Sequence, residues 1–352
     1  MCSAPATLLA IADRDEARLL TLLDAEVERW AALDADLGAP LGAVRSLVAS
    51  GGKRLRPAFC HWGYVGAGGD PDDDAPVAAG AAFELLHAFA LFHDDVMDGS
   101  ATRRGVRTTH LVFADEHEDK QWSGEARRFG EGVAILVGDL AFVYSDALMR
   151  DAPATAIDVW NELRIELNVG QFLDILGTAR GERNRTTAER IARYKSGKYT
   201  VERPLHLGAL LAAPDQGGVL LPALSSYGLP LGDAFQLRDD VLGAFGDESV
   251  TGKPVGDDLR EGKPTPLMAI ATARATVAQR DVLDRVGFPD LTDDDVSRIQ
   301  QVLVDTGALA ELEEQIDLLA VAALAALETV PITDDARKGL DELARYVAWR
   351  EY

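Results

Sequence analysis

An apolar run that closes on three carboxylates sets the terms for this chain. Phe83 to Gly105 reads FELLHAFALFHDDVMDGSATRRG. Phe83, Leu86, Phe89, Ala90 and Leu91 recur at near-helical spacing, which predicts a buried helix. Asp94, Asp95 and Asp98 stand at its end. Asp94 and Asp98 are four apart, so their carboxylates leave one helix face a turn apart, and His87 lies two turns below on about the same face. Acids set against a buried surface repel one another unless positive charge lies between them. A hard divalent cation with oxygen ligands, magnesium above all, meets that need. Arg103 and Arg104 follow on the loop after Gly99, and arginines grip phosphate. Acids for a cation beside arginines for phosphate point to a diphosphate bound through metal bridges. Acidic triplets are usually solvated surface, but a surface run does not close so apolar a helix.

The same device recurs. Residues 219–247 form an apolar helix that runs into FQLRDDVLGAFGD, with Gln236 on the face of Asp239 and Asp240. If the two helices face each other, their acids make two walls of one site. Below the acids both helices are apolar, so the substrate that suits them has a diphosphate head and a hydrocarbon tail.

The remaining chain keeps helical periodicity. Leu19, Leu23, Val27 and Trp30 mark an amphipathic helix over 7–36. A second, over 41–50, ends at Gly51-Gly52, where GGKRLRP puts Lys53, Arg54 and Arg56 ahead of Pro57. In so acidic a chain such a cluster at a Gly-Pro turn reads as an anion site. Residues 114–128 read as an exposed charged excursion, and 131–149 as a helix with Asp139 as a polar core residue rather than a supporting partner of the acids. Gln171 and Asp174 punctuate an apolar face over 160–176. A helix over 190–211 carries Lys195, Ser196, Lys198 and Tyr199, and Pro204 inside it predicts a kink. Residues 248–264 form a long polar loop with Lys253, Asp257, Asp258 and Lys263. Thr292 caps a helix that Gly307 stops, and two more follow over 308–327 and 334–351. No alternating strand pattern of any length occurs. The expectation is an all-α bundle of about ten or more helices around a central cavity. No shift in composition marks a boundary, so residues 1–352 read as a single domain.

Charge narrows the partners. With 35 basic and 58 acidic side chains the net charge is −23, which repels nucleic acid and anionic membrane surfaces. Phosphate must therefore be held locally. Cys2 and Cys60 make no disulfide framework and fit a reducing, cytoplasmic setting. The first residues lack a basic signal-peptide region, and no uninterrupted apolar run is long enough to span a bilayer.

Taken in order, GGKRLRP, HDDVMD with RRG after it, FQLRDD, and GDESVTGKPVGDDLREGK resemble the trans-isoprenyl diphosphate synthases, the polyprenyl synthase family, over about Gly51 to Pro266. That resemblance implies head-to-tail condensation of isopentenyl diphosphate with an allylic diphosphate (dimethylallyl, geranyl or farnesyl). It implies several Mg²⁺ ions and a C2 homodimer. By position Lys53, Arg56, His87 and Arg104 resemble the isopentenyl diphosphate grip. Asp94, Asp98 and Asp239 resemble metal ligands, supported by Asp95 and Asp240. Arg103, Lys195, Ser196, Gln236, Lys253 and Lys263 resemble the allylic diphosphate contacts. In the family a bulky aromatic five residues before the first acid with a small neighbour, as in Phe89 and Ala90, resembles the pattern of twenty-carbon products, geranylgeranyl diphosphate. Two departures stand out: Gly243 replaces the last acid of the second motif, and Ser196 replaces a threonine. A class I terpene cyclase would not need GGKRLRP, and a non-catalytic subunit would be expected to lose more of its motif acids.

Overall fold

α4 (Asp74–Asp98) is the helix the others surround. The computed structural model describes residues 3–246 and 255–350. α4 is apolar on more than one side, as a helix in the middle of a bundle must be. Phe83 and Leu86 pack with Cys60, Trp160, Leu163 and Leu207. Leu85, Ala88 and Phe92 pack the other way, with Leu19, Leu23, Val44, Val137 and Ala141. Those partners belong to α1 (Ala6–Ala31), α2 (Gly38–Ala49), α3 (Leu55–Gly66), α6 (Ala126–Leu148), α7 (Ala154–Arg180) and α9 (Arg203–Ala212). Trp160 is fully buried, and its indole N–H donates to Asp146 at 3.1 Å, which satisfies its only polar atom. Among the described residues α4 alone is long and apolar enough to cross a membrane, yet 67% of its most apolar window lies inside the bundle.

α10 (Gly217–Phe245) is the counterpart. Its first half packs Leu224, Tyr227 and Leu231 against Leu340, Leu343 and Val347 of the final helix. Its second half packs Leu237 and Val241 with Ile299, Leu312 and Ile316. Two separate cores thus fix α10, and its acidic end opens on the same cavity as that of α4.

Four local expectations need correction. The first helix stops at Ala31, because Asp34 turns the chain by accepting from the Asp36 N–H. The excursion at 114–128 is exposed over most of its length but partly helical: 114–119 end α5 (Thr109–Asp119), which buries only His110, Ala114 and His117, and 126–128 open α6. Asp139 is no core residue: its side chain is 57% exposed, 3.7 Å from His93. Pro204 is not inside a plain α-helix. A π-helical stretch, Arg193–Glu202, follows α8 (Arg185–Ala192), and Pro204 opens α9, where a missing N–H is tolerated.

Two short strands also escaped the sequence. Thr102–Arg103 pairs antiparallel with Val106–Arg107 around Arg104 (φ 53°) and Gly105 (φ 72°). Positive φ at both central residues is the two-residue hairpin turn that matches strand twist. The hairpin sends neighbouring arginines to different partners.

Candidate active site

The acidic ends of α4 and α10, the turn before α3, the π-helical stretch and the segment around Lys263 enclose a cavity of about 640 Å³. Asp94 is its best-held acid. Gln171 donates to it at 2.8 Å, Lys195 Nζ lies 3.3 Å away and Arg103 3.6 Å away. Burial alone would raise its carboxyl, but Lys195, Lys263 and Arg103 outweigh that and bring it down to about 2. Asp98, one turn on, shows the reverse: burial and the Asp94 charge push it up to about 7, and its Oδ2 has no hydrogen-bond partner. Asp95 turns away from the cavity. Arg103 donates to it at 2.5 and 2.8 Å, and the pair borders a smaller pocket beside α2 and α5.

Lys195 reaches this wall because α7 gives way. A Cβ at Gly170 would lie 2.5 Å from the Lys195 backbone nitrogen, so only glycine admits the π-helical stretch this closely. Lys195 Nζ then meets Asp174 at 2.5 Å. Ser196 lines the cavity beside it.

The basic turn supplies the opposite side. Lys53 Nζ lies 3.8 Å from Asp239, and Arg56 stacks over the Tyr199 ring at 4.2 Å. Arg104 wraps the turn from outside, donating to Leu47, Ser50 and Gly51. His87 lies between them with its Nδ1 unpartnered; burial, with Arg56 and Arg104 next, pushes its pKa well below the usual value, so the ring is neutral. On the second wall Arg350 pairs with Asp239 and stacks over Phe235 at 4.7 Å. Gln236 donates to Asp240 at 2.7 Å. Burial, then Asp258, pushes Asp240 well above the carboxylate range, and its Oδ2 lacks a partner. Lys263 Nζ sits 3.1 Å from Asp258 and 2.7 Å from Glu261; its four acid neighbours outweigh burial and keep it charged.

Most of the residues singled out by sequence therefore meet at one cavity. Lys253 lies outside the described residues. Asp98 stands at the end of α4 just outside the lining, and Phe89 and Ala90 do not line the cavity: Phe89 packs between α4 and α6, 4.9 Å from Phe142 and 4.7 Å from His93. Gln171, Asp174 and Arg350 join the site without having been assigned to it. The first two were visible as polar interruptions of an apolar face; Arg350 gave no signal.

Among the described residues no three His, Cys, Asp or Glu side chains converge into a ready metal cage. The donors nonetheless suit a hard cation. They are carboxylates, and one oxygen on each wall, Asp98 Oδ2 and Asp240 Oδ2, is buried without a partner.

A helical bundle with facing acid walls, each flanked by its own bases, defines a class: proteins that hold diphosphate groups at the mouth of an apolar interior. The model of the polyprenyl synthetase family matches residues 41–303. A geranylfarnesyl diphosphate synthase of Aeropyrum pernix is 32% identical over 319 residues, covering 88% of this chain and 93% of the relative. A geranylgeranyl diphosphate synthase of Mycobacterium tuberculosis is 35% identical, covering 79% and 75%. The crystal structure of a geranylgeranyl pyrophosphate synthase from Corynebacterium glutamicum, complexed with isoprenyl diphosphate and magnesium, superposes with a TM-score of 0.90 at 36% identity, covering 99% of this chain and 100% of that one. The chain belongs to the polyprenyl synthetase family, and its fold is that of the all-α isoprenyl synthases. It is an isoprenyl diphosphate synthase.

Proposed function

We propose that this protein is a magnesium-dependent trans-prenyltransferase that joins isopentenyl diphosphate head-to-tail to an allylic diphosphate and releases geranylgeranyl diphosphate. One observation carries the reading: a single cavity with two acid walls and two groups of bases, room for two diphosphates rather than one.

Asp94 and Asp98 on one wall and Asp239 on the other would hold magnesium, with Asp95 and Asp240 as support; bound there, the cations would act as Lewis acids on the departing diphosphate. Arg103, Lys195, Ser196, Gln236, Lys253 and Lys263 are assigned to the allylic diphosphate. Lys53, Arg56, His87 and Arg104 are assigned to isopentenyl diphosphate. As a neutral ring His87 can accept or donate one hydrogen bond without competing for the acids. Arg56, held face-on by Tyr199, meets its diphosphate with rotamer freedom already lost. The allylic carbon–oxygen bond breaks, the isopentenyl double bond attacks the cation, and a proton leaves to the departing diphosphate. No protein base is required. The buried walls exclude the water that would otherwise capture the cation.

Supplying isopentenyl diphosphate and an allylic primer with and without Mg²⁺ tests the reading. An elongated diphosphate supports it. A hydrocarbon product would mean a cyclase, and no turnover a non-catalytic subunit.

Arg56→Ala separates the two diphosphate sites. The KM for isopentenyl diphosphate is expected to rise about 10- to 100-fold, the worth of one charge-assisted phosphate contact. The KM for the primer is expected to move far less. Equal rises in both would refute the assignment.

Product length is assigned to Phe89, five residues or about 7.5 Å down the helix from Asp94, with the small Ala90 above it. Phe89 does not line the cavity as it stands, so this assignment requires the growing tail to pass between α4 and α6, where the ring packed against Phe142 would stop it. Phe89→Ala is expected to give products longer than twenty carbons, read by chromatography after dephosphorylation, with some loss of stability from the cavity. An unchanged product moves the floor elsewhere; a fifteen-carbon product from the unaltered enzyme defeats the assignment.

The homodimer is assigned to α6 and α7, which leave Leu136, Val143, Ile165 and Phe172 more than half exposed, an apolar display that a lone molecule rarely keeps. Phe172→Glu is expected to shift the mass measured by light scattering toward the monomer. The cysteine usage supports a cytoplasmic setting.

A further inference from the structure

Gly243 stands on α10 one turn beyond Asp239 and Asp240, where a carboxylate would complete the second acid wall. The room left by its missing side chain is filled from elsewhere. A Cβ built on residue 243 would overlap the Asp258 carboxylate, with Asp258 Cγ 2.5 Å and Cβ 3.2 Å away. Asp258 belongs to α11 (Asp257–Glu261), held between left-handed glycines at 256 and 262. Its carboxylate reaches the position that a side chain on residue 243 would itself take.

Three further facts set the chemistry. Asp239, Asp240, Gly243 and Asp258 line the same cavity. Asp240 is only 5% exposed, and its Oδ2 has no hydrogen-bond partner, so this wall carries a buried polar oxygen that nothing in the fold satisfies. Asp258 Oδ1 is 3.1 Å from Lys263 Nζ, so a base already lies at this wall. Carboxylates brought together from two elements at one cavity wall suit a cation with oxygen ligands.

We propose that Asp258 supplies the third carboxylate of the second acid wall, and that residue 243 is glycine because that carboxylate needs its room. The inference rests on the reading that this wall holds a divalent cation. It has a consequence that sequence comparison would get backwards. Placing an acid at 243, which would complete the motif on paper, should expel Asp258 and weaken the wall.

The test is Mn²⁺ binding in the presence of inorganic pyrophosphate, followed by the electron paramagnetic resonance of free Mn²⁺. Asp258→Asn and Gly243→Ala are each expected to weaken Mn²⁺ by about 10- to 100-fold, the usual range for supporting groups at a metal site. Gly243→Ala removes no acid and favours the helix, so weaker binding there cannot come from a lost ligand or a frayed α10. Gly243→Asp is expected to weaken binding too, and the double variant Gly243→Asp/Asp258→Ala to recover most of it. Thermal unfolding of each variant checks that the fold is kept. If Asp258→Asn binds Mn²⁺ as the wild type does while Asp239→Asn binds it weakly, the proposal is overturned and Asp258 holds neighbouring side chains, Lys263 among them, rather than the cation. If Gly243→Ala binds normally while Asp258→Asn is weak, the claim about room is overturned. If Asp239→Asn also binds normally, the cation reading of the wall fails, and the proposal falls with it.

Discussion

Asp94→Ala is expected to lower turnover by about a thousandfold or more, roughly 4 kcal/mol of barrier, while leaving the fold intact. The expectation follows from where charge sits. Asp94 is the one acid of the first wall that Lys195, Lys263 and Arg103 together hold down to about 2, so it is ionised at any working pH. It is also the group through which Gln171 and Lys195 meet α4. Removing it takes away a cation ligand and loosens the lysine assigned to the primer. The bases left behind do not become orphans: Arg103 keeps Asp95 at 2.5 Å and Lys195 keeps Asp174 at 2.5 Å. That is why the loss should appear in kcat rather than in stability. Asp239→Ala should cut turnover similarly from the other wall, but there it strips the fully buried Arg350 of its acid, so that variant should lose stability as well. Near-normal turnover in either variant, or full activity in excess chelator, would sink the assignment. A thermal midpoint of Asp94→Ala that falls along with activity would instead mark Asp94 as structural.

How much of this was legible in the chain depends on how far each interaction reaches. α4 and α10 could be read because both signals are local: an apolar run, then acids at fixed offsets. The hairpin at 102–107 could not, because two-residue strands leave no alternation to detect, and its turn depends on Arg104 taking a left-handed conformation that nothing nearby advertises. The π-helical stretch was read as an ordinary helix with a kink at Pro204. Its widening reflects close packing against Gly170 and Gly232, both distant in sequence. Asp139 was misplaced because an acid in an apolar run was taken as buried, although the α6 face that carries it is exposed. Arg350 lies more than a hundred residues from Asp239, and no spacing rule spans that distance.

The same long reach makes Arg54 the residue whose loss should do most harm to stability. It sits in the basic turn between two residues assigned to substrate, yet it points inward, in a left-handed conformation (φ 48°) and only 3% exposed. Its guanidinium pairs with Glu84 of α4, itself 4% exposed, and with Glu16 of α1 at 3.2 Å, and it donates to the Val48 carbonyl at 2.7 Å. One side chain thus ties the turn to three helices. Arg54→Ala leaves Glu84 buried without its cation, and breaking a buried pair from one side costs about 3–5 kcal/mol. The midpoint of urea unfolding should fall accordingly, and a shift of under about 1 kcal/mol would show that Glu84 finds solvent or another partner. Replacing both partners, as in Arg54→Met/Glu84→Leu, should be milder than Arg54→Ala, since no lone charge remains. Asp15 gives an independent reading of the same pocket. Burial, then the Glu84 charge, pushes its carboxyl up to about 8, so it is protonated in the fold and ionised when unfolded near neutral pH. A raised carboxyl favours the fold below its unfolded value near 3.8, and that contribution is lost as pH climbs through about 8. Asp15→Asn, neutral throughout, should therefore gain in stability relative to the wild type as pH rises across that window. A difference between the two proteins that does not change with pH would mean that Asp15 is ionised in the fold and that Arg54 neutralises both acids.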